Sequence, residues 1–89
     1  MVETPLTCVL ERIDAPNLAA VEPVFATSSS RIVIDMRRVV LTTPEGVARL
    51  AHLVRLAQRR QVAVEIVAAT PVVRRALVAS GIQHLVTLA

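Results

Sequence analysis

RIVIDMRRVVLTTPEGVARL, residues 31–50, is the stretch on which the fold turns. Ile32, Val33, Ile34 and Met36 form a nearly continuous apolar run, interrupted by Asp35 and closed by Arg37 and Arg38. Runs of this length and composition belong to strands of a parallel sheet that is covered on both faces, so residues 31–36 are expected at the centre of such a sheet. The second half opens a helix. Thr43 offers a hydroxyl to the free amides of a first turn, and Pro44 suits the first helical position, where an N–H would have no partner. Glu45 adds an acid to that turn. Val47, Leu50, Ala51, Val54 and Ala57 then recur at three- to four-residue spacing, which predicts a buried stripe, while Glu45, Arg49, His52 and Arg59 fall on a polar one.

The flanks repeat the same units. In residues 6–13, Leu6, Cys8 and Leu10 alternate with Thr7 and Glu11, the pattern of a strand. Asp14, Pro16 and Asn17 supply helix-start chemistry for Leu18, Val21, Val24 and Phe25, although Pro23 removes a backbone donor and predicts a kink or a restart near Glu22. Residues 27–30 form a short polar connection. Residues 62–67 predict a third strand with Glu65 as its only charge. Thr70 and Pro71 repeat the helix start, with Val73, Ala76 and Leu77 facing inward and Gly81-Ile82 as a stop. Residues 83–88 are expected to be a fourth strand. The order β-α-β-α-β-α-β predicts one α/β domain over residues 1–89, a small sandwich of about four mainly parallel strands with helices packed on the sheet.

Composition excludes several functions. The chain has 89 residues, 54% of them hydrophobic, which is incompatible with disorder and fits a single dense core. Phe25 is the only aromatic residue, so there is no platform on which bases could stack. All ten basic residues are arginine, the net charge is only +3, and no basic run exceeds two residues. Nucleic acid is therefore not an expected partner. The lone Cys8 falls at a core position of its strand, and with two separated histidines it makes no metal-ligand set. Gly46 and Gly81 cannot build a phosphate loop, and none of the Ser, Cys or His residues lies in a nucleophile motif. No catalytic residue, metal or cofactor is expected. Charges interrupt every apolar stretch before it reaches the length of a membrane span, and the first residues lack a secretory pattern. A cytoplasmic protein without direct membrane insertion is the expectation.

The run at residues 31–50 resembles the central strand, loop and helix of STAS domains, the fold of bacterial anti-sigma factor antagonists. That family reads as an apolar strand ending in Asp, a few residues, Asp-Ser-Ser-Gly or Asp-Ser-Thr-Gly, then an apolar helix. TPVVRRALVASGIQHLV, residues 70–86, resembles the family's third helix and its Gly-Ile stop. ERIDAPNLAAVEPVF, residues 11–25, resembles its first-helix region, with Asp14 matching a frequent Asp and Glu11 replacing a frequent Gly. Asp35 matches the Asp that ends the central strand. The family's extra leading strand and closing helix find no room in residues 1–89.

The resemblance implies a regulator that docks the start of its second helix on an anti-sigma factor or another kinase-like protein, which phosphorylates the Ser or Thr before the helix glycine. Aligned on Gly46, that position is Glu45, which cannot accept a phosphoryl group. Thr43-Pro44 replaces the family's Asp-Ser, and Thr42 and Thr43 are the nearby hydroxyls that could substitute. The expected partner-binding residues are Asp35, Thr42, Thr43, Glu45, Arg49 and His52, where the loop after a central strand and the exposed helix stripe converge. Two alternatives follow from the same resemblance: an accessory subunit of a lipid-transport ATPase complex that braces the ATPase subunit, and an oligomerising scaffold. Without the family's closing helix, Leu85, Val86 and Leu88 and one sheet edge are expected to be less covered than in longer relatives, which predicts a homodimer or a partner-dependent fold.

Overall fold

Strands β1 (Leu6–Val9), β2 (Arg31–Asp35), β3 (Ala63–Val67) and β4 (Thr87–Leu88) lie side by side in that order, all parallel, in a computed structural model that describes residues 5–26 and 30–89. Helices α1 (Ala15–Phe25), α2 (Pro44–Arg59) and α3 (Pro71–Ala79) make the three crossovers between neighbouring strands. Every crossover steps to the next strand in the same direction, so right-handed connections place all three helices on one face. The result is the α/β architecture expected from the order of elements. Among the described residues, no helix is long and apolar enough to cross a membrane.

Each helix starts with the same device. Asp14, Thr43 and Thr70 are extended N-caps whose side chains accept the amides of Asn17, Gly46 and Val73, and each is followed by a proline in the first two helical positions. These caps satisfy amides that the helix itself leaves unpaired. Gly81 (φ 80°) then ends α3 in the left-handed region, as the Gly-Ile pair predicted.

Side-chain alternation shows which face of the sheet carries the core. Cys8, Ile32, Ile34, Val64 and Ile66 are buried under the helices, together with Leu18, Phe25, Leu50, Leu53, Val54, Leu77 and Ile82. Thr7, Val9, Arg31, Val33, Asp35, Ala63, Glu65 and Val67 occupy the opposite face, and none of them is buried. There the Arg31 guanidinium meets the Glu65 carboxylate at 2.6 Å. The expectation that residues 31–36 are covered on both faces is therefore corrected. With all crossovers on one side, the other face carries no helix among the described residues, and Val33 sits half-buried among strand neighbours, where a β-branched residue suits the pleat.

Three boundaries also differ. The β1 ladder stops at Val9 and not at residue 13; the Leu10 amide still donates to the Asp35 carbonyl at 3.1 Å, and Ile13 makes an isolated bridge to Thr42. Helix α1 runs through Pro23 without restarting near Glu22. Pro23 lies in its last turn, so little of the helix depends on the missing donor. Arg60 from α2's end supports that turn by donating to the Phe25 and Ala26 carbonyls at 3.1 and 3.4 Å. The strand expected over residues 83–88 shrinks to Thr87–Leu88, because Gly81 turns the chain to bury Ile82 and a 3₁₀ turn, Ile82–His84, follows. Leu85, Val86 and Leu88 are half-buried against the core and are not bare. The polar connection at residues 27–30 lies, apart from Ser30, outside the described residues.

Candidate docking surface at the start of α2

The start of α2 is fixed from three directions. The Thr43 hydroxyl oxygen accepts the Gly46 amide at 3.0 Å and donates to the Ile13 carbonyl at 3.4 Å, while the Thr43 amide donates to that same carbonyl at 2.9 Å. The Ile13 amide in turn donates to the Leu41 carbonyl at 2.9 Å. Behind these bonds the helix backbone touches the chain entering α1: a Cβ built on Gly46 would lie 2.0 Å from the Ile13 carbonyl oxygen and 2.6 Å from Asp14 Cα. Only glycine fits there. The glycine before the apolar helix is thus a packing requirement, independent of any phosphoryl chemistry.

The structure brings some of the expected site residues together and separates others. Thr42 and Thr43, half-buried, stand at the mouth of α2. Glu45, Arg49 and His52 are exposed along one stripe of α2, spaced so that they share a face. Arg49 is already engaged, since its guanidinium lies 2.7 Å from the Glu22 carboxylate of α1. Asp35 stands apart. It ends β2 on the helix-free face, accepts the Arg37 amide at 2.9 Å, and lines a shallow depression with Val9, Glu11, Arg37 and Arg38.

Sequence reading missed the groove beside this stripe. A cleft of about 600 Å³ between α2 and α3 begins at Thr42, Thr43 and Pro44 and continues along Val47, Ala48, Ala51 and Arg55 on one wall and Ala76, Ala79 and Ser80 on the other. Ala76, expected to face inward, is half-buried and lines it. The signal was the recurrence of small residues at positions 48, 51, 76 and 79, which keeps two helices of one face from filling the space between them. Among the described residues, Arg55 is the only charged group in the lining.

The remaining reactive groups are scattered. Cys8 is buried, and desolvation raises its thiol pKa above the ordinary 9.0, the opposite of an activated nucleophile. His52 and His84 are exposed on different elements. Among the described residues, no three His, Cys, Asp or Glu side chains group as a metal site would require. What the start of α2 offers is a rigid, partly charged surface beside an apolar cleft, an arrangement suited to binding.

No curated protein matches the chain. The family model described as "Mlab, STAS domain" matches residues 5–87, and so spans β1 to β3 and all three α-helices and reaches the first residue of β4. The chain belongs to the STAS-domain family.

Proposed function

We propose that this STAS domain is a non-enzymatic regulator that docks on a partner protein through the start of α2, in the manner of an anti-sigma factor antagonist. The observation that carries this reading is the locking of α2's first turn on Ile13 and Asp14 by Gly46 and Thr43. It presents Thr42, Glu45, Arg49 and His52 on a surface ordered before any partner arrives. Preorganisation of this kind lowers the entropic cost of association. A regulator that binds an anti-sigma factor withdraws it from its sigma factor by mass action, with no chemistry required.

Phosphorylation at the family position does not operate in this reading, because Glu45 has no hydroxyl and the Thr43 hydroxyl is engaged with Gly46 and Ile13. That same feature favours a second reading, the accessory subunit of a lipid-transport ATPase. A constitutive brace has no need of a phosphoacceptor, and the matching family model carries the name Mlab. Titration calorimetry against a purified kinase-like anti-sigma factor and against a transporter ATPase subunit separates the two. With the true partner, Arg49→Ala weakens binding more than Arg74→Ala. A Glu22→Gln control reports how much of that loss comes from breaking the ion pair. Equal losses at Arg49 and Arg74 would remove the assignment to α2.

A further inference from the structure

Outside the α2 surface, the largest departure from an ordinary soluble exterior lies in the loop between β2 and α2. Val40 is 89% exposed, the most of any large apolar residue described; Leu41, next in the chain, is 47% exposed, and Val9, at the end of β1, is 50% exposed. Backbone hydrogen bonds define this pose. Val39 is buried, its amide donates to the Met36 carbonyl at 3.1 Å, and the Val40 amide donates to the Glu11 carbonyl at 3.4 Å. The Leu41 carbonyl is held by the Ile13 amide. With Val39 anchored inward and its neighbours tied to residues 11–13, Val40 is directed away from the core.

Two cations precede this knob in the loop. Arg37 and Arg38 are exposed, and among the described residues neither guanidinium has an ion-pair or hydrogen-bond partner, whereas Arg12, Arg31 and Arg49 each sit beside a carboxylate. Arg38 lines both neighbouring depressions, one with Glu11, Arg12, Asn17 and Val40 and the other with Val9, Glu11, Asp35 and Arg37.

We propose that Val9, Arg37, Arg38 and Val40 form a second contact surface, and that it fits an acidic protein segment in which carboxylates flank an apolar residue. The apolar residue covers Val40 and the carboxylates pair with the two free guanidiniums, the charge complementarity that gives such contacts their specificity. Glu11 and Asp35 stand between these cations and decide against a lipid surface. A continuous sheet of anionic headgroups would press negative charge on them, whereas a folded segment places its carboxylates only where the arginines are. This surface does not depend on the docking role of α2, because it lies on the β1–β2 side of the loop and shares no residue with the α2 stripe.

The test is selection of a random peptide library displayed on phage against the full chain, with binding of the selected peptides then measured by fluorescence anisotropy. Peptides pairing Asp or Glu with an aliphatic or aromatic residue are expected. Their affinity should fall roughly tenfold or more for Val40→Ser and for Arg38→Glu, and stay unchanged for Val72→Ser, which removes an exposed valine on α3. Because Val40 is exposed, these variants should keep the wild-type melting curve, which is recorded alongside. Selected peptides without acids, or bound equally by Val40→Ser, would overturn the proposal. So would tight binding of vesicles of equal phosphatidylglycerol and phosphatidylcholine that is lost in Val40→Ser, since it would assign the loop to a membrane.

Discussion

Gly46 and Ile13 are in direct backbone contact: a methyl group on Gly46 would reach 2.0 Å from the Ile13 carbonyl oxygen. No rotamer relieves this overlap, because the Cβ position is fixed by the helix backbone and the oxygen belongs to a backbone carbonyl, so Gly46→Ala must displace either the first turn of α2 or the entry to α1. Alanine is otherwise the better helix former by about 1 kcal/mol, and that gain is outweighed here. The variant is expected to lose about 3 kcal/mol in urea unfolding, at the upper end for overpacking a tight site. A stability equal to wild type would mean that the two segments do not touch as described.

The cap at Thr43 gives a gentler test of the same junction. Thr43→Ala removes the acceptor for the Gly46 amide and should cost about 1 kcal/mol. Thr43→Ser keeps the oxygen and should restore most of that loss. The same bonding predicts that incubation with a kinase and labelled ATP places no phosphate on Thr43 unless the first turn opens, and phosphopeptide mapping reads this directly.

Cys8 supplies a pH dependence with a defined sign. Burial raises its folded-state pKa above the ordinary value of 9.0, so the folded protein holds its proton at pH values where the unfolded chain releases it. Stability is unaffected by this group below that value and declines as pH rises through it toward the folded pKa. Wild type should therefore lose stability above pH 9.0 relative to Cys8→Ala, measured by urea unfolding across that range. A thiol reagent should modify the native protein far more slowly than the urea-unfolded chain.

Much of the architecture is legible in local patterns, and the misses share a cause. The helix starts at Asp14, Thr43 and Thr70 and the stop at Gly81 could be read because capping depends on a few adjacent residues. The covering of β2 on one face only could not. An apolar Val33 reads the same whether a helix or solvent lies above it, and the direction of the crossovers is a property of the whole chain. Likewise the fourth strand was overextended because Leu85 and Val86 look like strand residues, while the burial of Ile82 after Gly81 commits them to a turn.

The candidate site divides along the same line. Glu45, Arg49 and His52 share a stripe because helical spacing is local, but the pairing of Arg49 with Glu22, 27 residues away, and the placement of Asp35 on the helix-free face are set by packing. Gly46 carried a readable hint. A glycine inside the first turn of a helix weakens it, and such a residue signals a close backbone approach.

A docking role for the start of α2 requires that Glu45 and His52 lie against the partner in the cell. Site-specific photo-crosslinking in the native cell tests it most directly, with a photoreactive side chain placed in turn at Glu45, at His52, at Arg74 on α3 and at Val33 on the helix-free face. One discrete adduct of the same mass is expected from Glu45 and His52 and none from Arg74 or Val33. Adducts of equal yield from Arg74 or Val33, with none from Glu45 and His52, would contradict it.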